Sequence, residues 1–166
     1  MSNGYVYKDI LIANTRTGGE NANILCAVNN GHAWVPQLQV NNSPTLPANC
    51  RWNIGWVDQG AQFTVEFLDP YGNAYRLALP SDIQDGTLCL LVAEGQSGYC
   101  TSWAFPYPTR MLSGYGSGLH PYEGTQGTMS LDSGKYPNPV AWTFNSSVNQ
   151  TWQYGYDIND LKPMPF

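Results

Sequence analysis

Few residues in the chain can do acid–base or nucleophilic chemistry. There are two histidines, His32 and His120, four glutamates, Glu20, Glu66, Glu94 and Glu123, and four cysteines, Cys26, Cys50, Cys89 and Cys100. His120 is followed closely by Glu123, and an imidazole beside a carboxylate is the pattern of a base and its orienting group. Ser117 is near in sequence, but GYGSGLH lacks the Gly-x-Ser-x-Gly spacing of a nucleophile elbow. A glycosidase needs two carboxylates flanking one bond, with one held protonated. Glu66 instead has a cross-strand partner in Arg76, Glu94 fits a turn, and Glu20 and Glu123 sit in glycine-flanked loops. No catalytic residue is assigned. A hydrolase using His120 with a carboxylate is kept as a second alternative.

Metal and cofactor signals are equally sparse. No two cysteines have CxxC spacing, which argues against a structural zinc site. DIND at Asp157–Asp160 and LDSG at Leu131–Gly134 gather oxygens without EF-hand spacing, and Asn and Asp in turns bond their own backbone. No GxGxxG or GxxxxGK run is present to cradle a phosphate. No metal and no cofactor is expected. The even cysteine count leaves three pairings open, alongside four buried free thiols.

What remains is aromatic and polar. Residues 113 to 127 read SGYGSGLHPYEGTQG, a run from which no packed core is built. It belongs to an irregular stretch near 104–126, and long structureless stretches in a compact domain are usually functional or mobile. Tyrosines joined by Gly and Ser give broad contact area at low entropic cost. Their rings stack on the apolar faces of sugars while polar neighbours read the hydroxyls. The candidate ligand-binding residues are therefore Tyr115, His120, Tyr122 and Glu123, supported by Trp103 and Tyr107. His32 reads as an exposed turn residue, and Trp142 and Trp152 as core.

Such a loop needs a rigid scaffold, and the chain reads as strands. In QFTVEFLDPYGNAYRLALP a three-residue Pro70-Tyr71-Gly72 loop sets Phe63 against Leu79, Val65 against Leu77 and Phe67 against Tyr75. Glu66 then faces Arg76 on the other side. NILCAVNNGHAWVPQLQV predicts a hairpin round an Asn30-Gly31 type I′ turn, with Pro36 marking an edge strand or a bulge. TLCLLVAEGQSGYCTSWAF predicts a third, in which a Glu94-Gly95 turn puts Cys89 opposite Cys100. Its apolar run from Leu88 to Ala93 suits a strand buried on both faces. PVAWTF and TWQYGYDI alternate, and further strands are expected near Tyr5–Ala13 and Arg51–Val57. The sum is about ten antiparallel strands in hairpins, forming a β-sandwich or flattened barrel as a single domain over residues 1–166. No segment has helical periodicity and no internal repeat is visible, which excludes propellers and solenoids.

Composition narrows the partners. Charged residues make up 11% of the 166 residues and aromatics 13%, and the net charge is −5. The seven scattered cations form no cluster that would displace counterions from nucleic acid or dock on anionic lipid. No apolar run approaches the roughly 20 residues of a membrane span, and the first residues lack the pattern of a signal peptide. An aromatic, Asn- and Ser-rich β-protein is expected outside the cell rather than in the cytoplasm. EGTQGTMSLD, Glu123 to Asp132, resembles a short stretch of the aegerolysins, β-sandwich proteins that recognise membrane lipids and can help form pores. That resemblance implies a small β-sandwich that binds cell surfaces. The sequence thus points to a non-enzymatic protein that binds glycans or another neutral surface component, as a lectin-like module or small toxin subunit. The alternative is a structural or self-assembling protein, a homo-oligomer built through strand edges.

Overall fold

The computed structural model describes residues 5–14, 23–40, 45–58, 62–104, 120–121, 129–145 and 147–163. Among them every strand pair is antiparallel, and the helices are two single 3₁₀ turns, Val148–Gln150 and Ile158–Asp160. The strands are β1 (Tyr5–Asn14), β2 (Asn23–Asn29), β3 (Trp34–Val40), β4 (Trp52–Asp58), β5 (Gln62–Leu68), β6 (Ala74–Pro80), β7 (Leu90–Ala93), β8 (Tyr99–Cys100), β9 (Trp103–Ala104), β10 (His120–Pro121), β11 (Met129–Asp132), β12 (Val140–Thr143), β13 (Trp152–Gly155) and β14 (Lys162–Pro163). The all-β antiparallel expectation holds, and of its two forms the barrel describes the molecule.

The strands repeat a simple unit: a barrel strand, a hairpin, then a second barrel strand. The first unit is β1, β2–β3 and β4; the second is β5, β6–β7 and β9; the third is β10, β11–β12 and β13. Within units β1 pairs with β4 and β5 with β9. Between units β4 pairs with β5, β9 with β10, and β13 with β1. These pairings supply five of the six steps of a closed ring, the plan of a β-trefoil.

The core repeats with the strands. The last strand of each unit opens on a fully buried tryptophan, Trp52, Trp103 or Trp152. Each indole N–H donates to a leucine carbonyl on the first arm of its own hairpin: Trp52 to Leu25 at 2.9 Å, Trp103 to Leu77 at 3.0 Å and Trp152 to Leu131 at 3.0 Å. Those leucines face Leu38, Leu91 and Ala141 across their hairpins. The expected absence of an internal repeat is therefore corrected. The repeat resides in a handful of core positions, while the hairpin loops vary from residues 30–33 to 81–89 to 133–139, which destroys any fixed period.

The β5–β6 hairpin forms in the expected register, Glu66 against Arg76 and Phe67 against Tyr75. Asp69 builds its turn, accepting from the N–H groups of Tyr71 (2.9 Å) and Asn73 (2.8 Å), while Gly72 takes a φ of 88°. Past Glu66 the arms part. Phe63 pairs with Trp103 rather than with Leu79, and Leu79 pairs with Cys100, so Tyr99–Ala104 enters the fork. This overturns the expected third hairpin. β7 returns along β6, from Ala93 at Tyr75 to Leu90 at Ala78, and Cys89 does not face Cys100. Nor is its apolar run covered on both faces: Leu88 and Ala93 are exposed, because an outer hairpin arm keeps one side in water. The four thiols are free and buried.

The β2–β3 turn is corrected in length. Asn29 pairs with Trp34, leaving a four-residue loop, Asn30 to Ala33, instead of a two-residue turn. Asparagine side chains choose it: Asn29 Oδ1 accepts from Gly31 N–H, and Asn30 Oδ1 from the N–H groups of His32 and Ala33. Pro36 lies on β3, whose ladder pairs with β2 alone, as an edge strand requires. At the C-terminal end Trp152 is core, whereas Trp142 is only partly buried, with the Lys135 ammonium 5.4 Å from its ring centre. Val140 and Ala141 take the buried places instead.

Candidate functional site

The stretch expected as one irregular loop near 104–126 is interrupted by β10, which pairs with β9 on the barrel ring. β9 and β10 run antiparallel with His120 opposite Ala104 and Pro121 opposite Trp103, so the residues that flank segment 105–119 are paired. The three-unit plan measures how much of that segment the fold needs. The same step between the first and second units, from Asp58 of β4 to Gln62 of β5, is made with three residues, 59–61. The step from Ala104 to His120 takes fifteen. About a dozen residues here are surplus to closing the fold, and surplus length on a rigid frame is where binding residues are carried.

Of the residues expected to bind, Tyr107, Tyr115, Tyr122 and Glu123 lie outside the described residues. His120 stands on β10 at the foot of the loop. Trp103 is a correction. It is fully buried, its indole N–H is committed to Leu77, and its ring packs in the main core, so it has no face to offer a ligand. Its place beside a Gly- and Pro-rich stretch made it look like loop; its equivalence with Trp52 and Trp152 makes it core.

A second feature had no sequence signal. A cleft of about 380 Å³ is lined by Asp9, Asn49, Arg51 and Asn53 together with Leu46, Pro47, Phe67 and Leu68, and it abuts Cys50. Two local backbone choices shape it. β1 carries an extra residue against β4 between Tyr7, opposite Ile54, and Ile10, opposite Trp52. Asp9 in that bulge adopts a φ of 55°, and its N–H donates to Asn53 Oδ1 at 2.9 Å. Asn49 also has a φ of 55°, and its carbonyl accepts from Ala27 N–H at 2.9 Å. Asp and Asn are the non-glycine residues that tolerate this backbone best. Bulges of this kind re-aim side chains and are common beside functional sites.

Several other chemistry-bearing groups among the described residues have structural partners. Glu66 is buried, with the Arg76 guanidinium 3.6 Å away and the Tyr5 hydroxyl donating to it. Burial pushes the Tyr5 phenol up to about 12, and its hydrogen bond to Glu66 and the charge of that carboxylate add to the rise. Burial, with Cys50 close by, raises the Cys26 thiol to about 12, and burial likewise raises Cys50 and Cys89. Thiols held this way are not nucleophiles at neutral pH. Asp132 accepts from Gly134 N–H and Gln150 Nε2, and Asp157 from Asn159 N–H, so both oxygen-rich motifs serve turns. Among the described residues no group of His, Cys, Asp and Glu could hold a metal ion, and no helix is long and apolar enough to cross a membrane.

No family model matches the chain, and no curated protein matches it in sequence. Solved structures do resemble it, two of them as follows. One is the PSL1a-E64 complex, with a TM-score of 0.60 and 16% identity, covering 93% of this chain and 48% of that one. The other is Polyporus squamosus lectin bound to the human-type influenza-binding epitope Neu5Acα2-6Galβ1-4GlcNAc, with a TM-score of 0.59 and 15% identity, covering 93% of this chain and 50% of that one. The likeness is one of fold. The chain spans about half the length of each of these structures.

Proposed function

We propose that this chain is a non-enzymatic, lectin-like module that binds glycans at or outside the cell surface. The observation that carries the reading is its likeness in fold, over 93% of its length, to a lectin solved with a bound oligosaccharide. Two features support it. The fifteen residues between β9 and β10 exceed what the repeat needs, and they begin a Tyr- and Gly-rich stretch suited to stacking and hydrogen bonding with sugars. The net charge of −5 and the unclustered cations favour a polar ligand without high negative charge. Tyr107, Tyr115, His120, Tyr122 and Glu123 are the residues proposed to make the contacts.

The test is a glycan array carrying neutral and sialylated structures, probed with wild type and with a Tyr115→Ala/Tyr122→Ala variant. Saturable wild-type signal that the variant loses is the expected result. A blank array with wild type refutes glycan binding and transfers weight to self-assembly, which size-exclusion chromatography across concentrations then reads. Signal that the variant retains in full removes the long loop from the site.

A further inference from the structure

We infer that the cleft between the β1 bulge and segment 46–51 is a preformed binding site for one neutral sugar ring. This inference rests on the glycan-binding reading above and gives it a second set of residues, none of them from the long loop. The cleft holds one group of each sign, Asp9 and Arg51. Arg51 Nη1 donates to the carbonyls of Asp9 and Tyr156, both at 2.9 Å, which ties the guanidinium to backbone at the rim. Among the described residues the Asp9 carboxylate forms no ion pair, with Arg51 or with any other cation. A carboxylate and a guanidinium kept apart in one small cleft disfavour both a simple anion and a simple cation, since each ligand would meet a like charge.

What suits the pair is a neutral molecule rich in hydroxyls, which donate to Asp9 and accept from Arg51. The amides of Asn49 and Asn53 add donors and acceptors, though Asn53 Oδ1 is already occupied by the Asp9 N–H. Leu46, Pro47 and the exposed Leu68 give apolar surface for the C–H face of a sugar ring, with the buried Phe67 as the floor beneath them. The volume of about 380 Å³ lies at the low end for ligand sites, the scale of one or two rings. The fold sets the backbone from which these side chains project: the Asp9 N–H is held by Asn53 Oδ1 and the Asn49 carbonyl by the Ala27 N–H.

The test is an amide-resolved NMR titration of ¹⁵N-labelled protein with galactose, N-acetylglucosamine and N-acetylneuraminic acid, each as the free monosaccharide to millimolar excess. Wild type, Asp9→Asn and Tyr115→Ala/Tyr122→Ala are compared. Asparagine keeps the left-handed backbone of position 9 and removes only the charge, and the spectrum itself reports whether the variant is folded. The expected result is saturable shifts at the amides of Asp9, Asn49, Arg51 and Asn53 with a neutral sugar. Asp9→Asn weakens these about tenfold or more, and the tyrosine variant leaves them unchanged. Shifts confined to residues 105–123 overturn the cleft and leave the glycan-binding reading intact. Cleft shifts with N-acetylneuraminic acid alone overturn the neutral class. No cleft shift with any sugar overturns the site whatever the array shows, and a wild-type titration decides this even if Asp9→Asn fails to fold.

Discussion

Trp103 is where the sequence reading and the three-unit core differ most, and a Trp103→Phe exchange separates them. In the core, phenylalanine leaves the Leu77 carbonyl without its donor in a dry interior, a cost of about 1–3 kcal/mol. The lost part of the indole leaves a small void in a fully buried position, which adds on the order of 1 kcal/mol. The expected loss is about 2–4 kcal/mol, a large share of the roughly 5–15 kcal/mol that holds a natural domain together, yet not enough to unfold most domains. With a urea slope near 2 kcal/mol/M for a chain of this size, the unfolding midpoint falls by about 1–2 M. Trp52→Phe and Trp152→Phe break equivalent bonds, to Leu25 and Leu131, so their midpoints fall by similar amounts. Urea unfolding followed by far-UV circular dichroism on all three variants is the assay. If Trp103→Phe stayed near the wild-type midpoint while the other two dropped, the equivalence would be refuted and Trp103 would return to the ligand site.

Two further outcomes follow from the same geometry. The Tyr5 phenol is raised to about 12 by burial and by Glu66, against about 10 in the unfolded chain. The unfolded state therefore loses that proton first, and this contribution is complete below pH 10 and lost as pH rises toward 12. Stability measured by urea unfolding should fall across that window in wild type and less in Tyr5→Phe; equal slopes would remove Tyr5 as the cause. Replacing residues 105–119 with a three-residue link, the length used at 59–61, should leave the barrel folded. It should stabilise the barrel by up to about 1.4 kcal/mol of loop-closure entropy while removing the part of the glycan-array signal that the long loop carries. A variant that fails to fold would show that the long segment is part of the scaffold.

Much of the fold was legible because local chemistry dictated it. The Asp69–Asn73 turn and the alternation around it fixed the β5–β6 register, since a one-residue slip would exchange its two faces. Pro36 marked an edge strand because it has no N–H to give to a ladder. The failures were non-local. Nothing near Glu94 or Gly95 says that β7 will fold back on β6, or that Tyr99–Ala104 will enter the β5–β6 fork. In the β2–β3 loop two asparagine side chains outweighed the preference of Asn-Gly for the shorter turn.

For the candidate sites the division is sharper. The sequence by itself determined the class, antiparallel β with low charge and an aromatic, glycine-rich stretch, because composition and period-two alternation act residue by residue. Tertiary structure alone decided that Trp103 belongs with Trp52 and Trp152, since equivalence under a three-unit plan is a relation among positions about fifty residues apart. It also assembled the cleft, bringing Asp9, Asn49, Arg51 and Phe67 together from separate segments through a bulge and a left-handed turn. Both arrangements depend on contacts between distant segments, and such contacts leave no local pattern for the sequence to display.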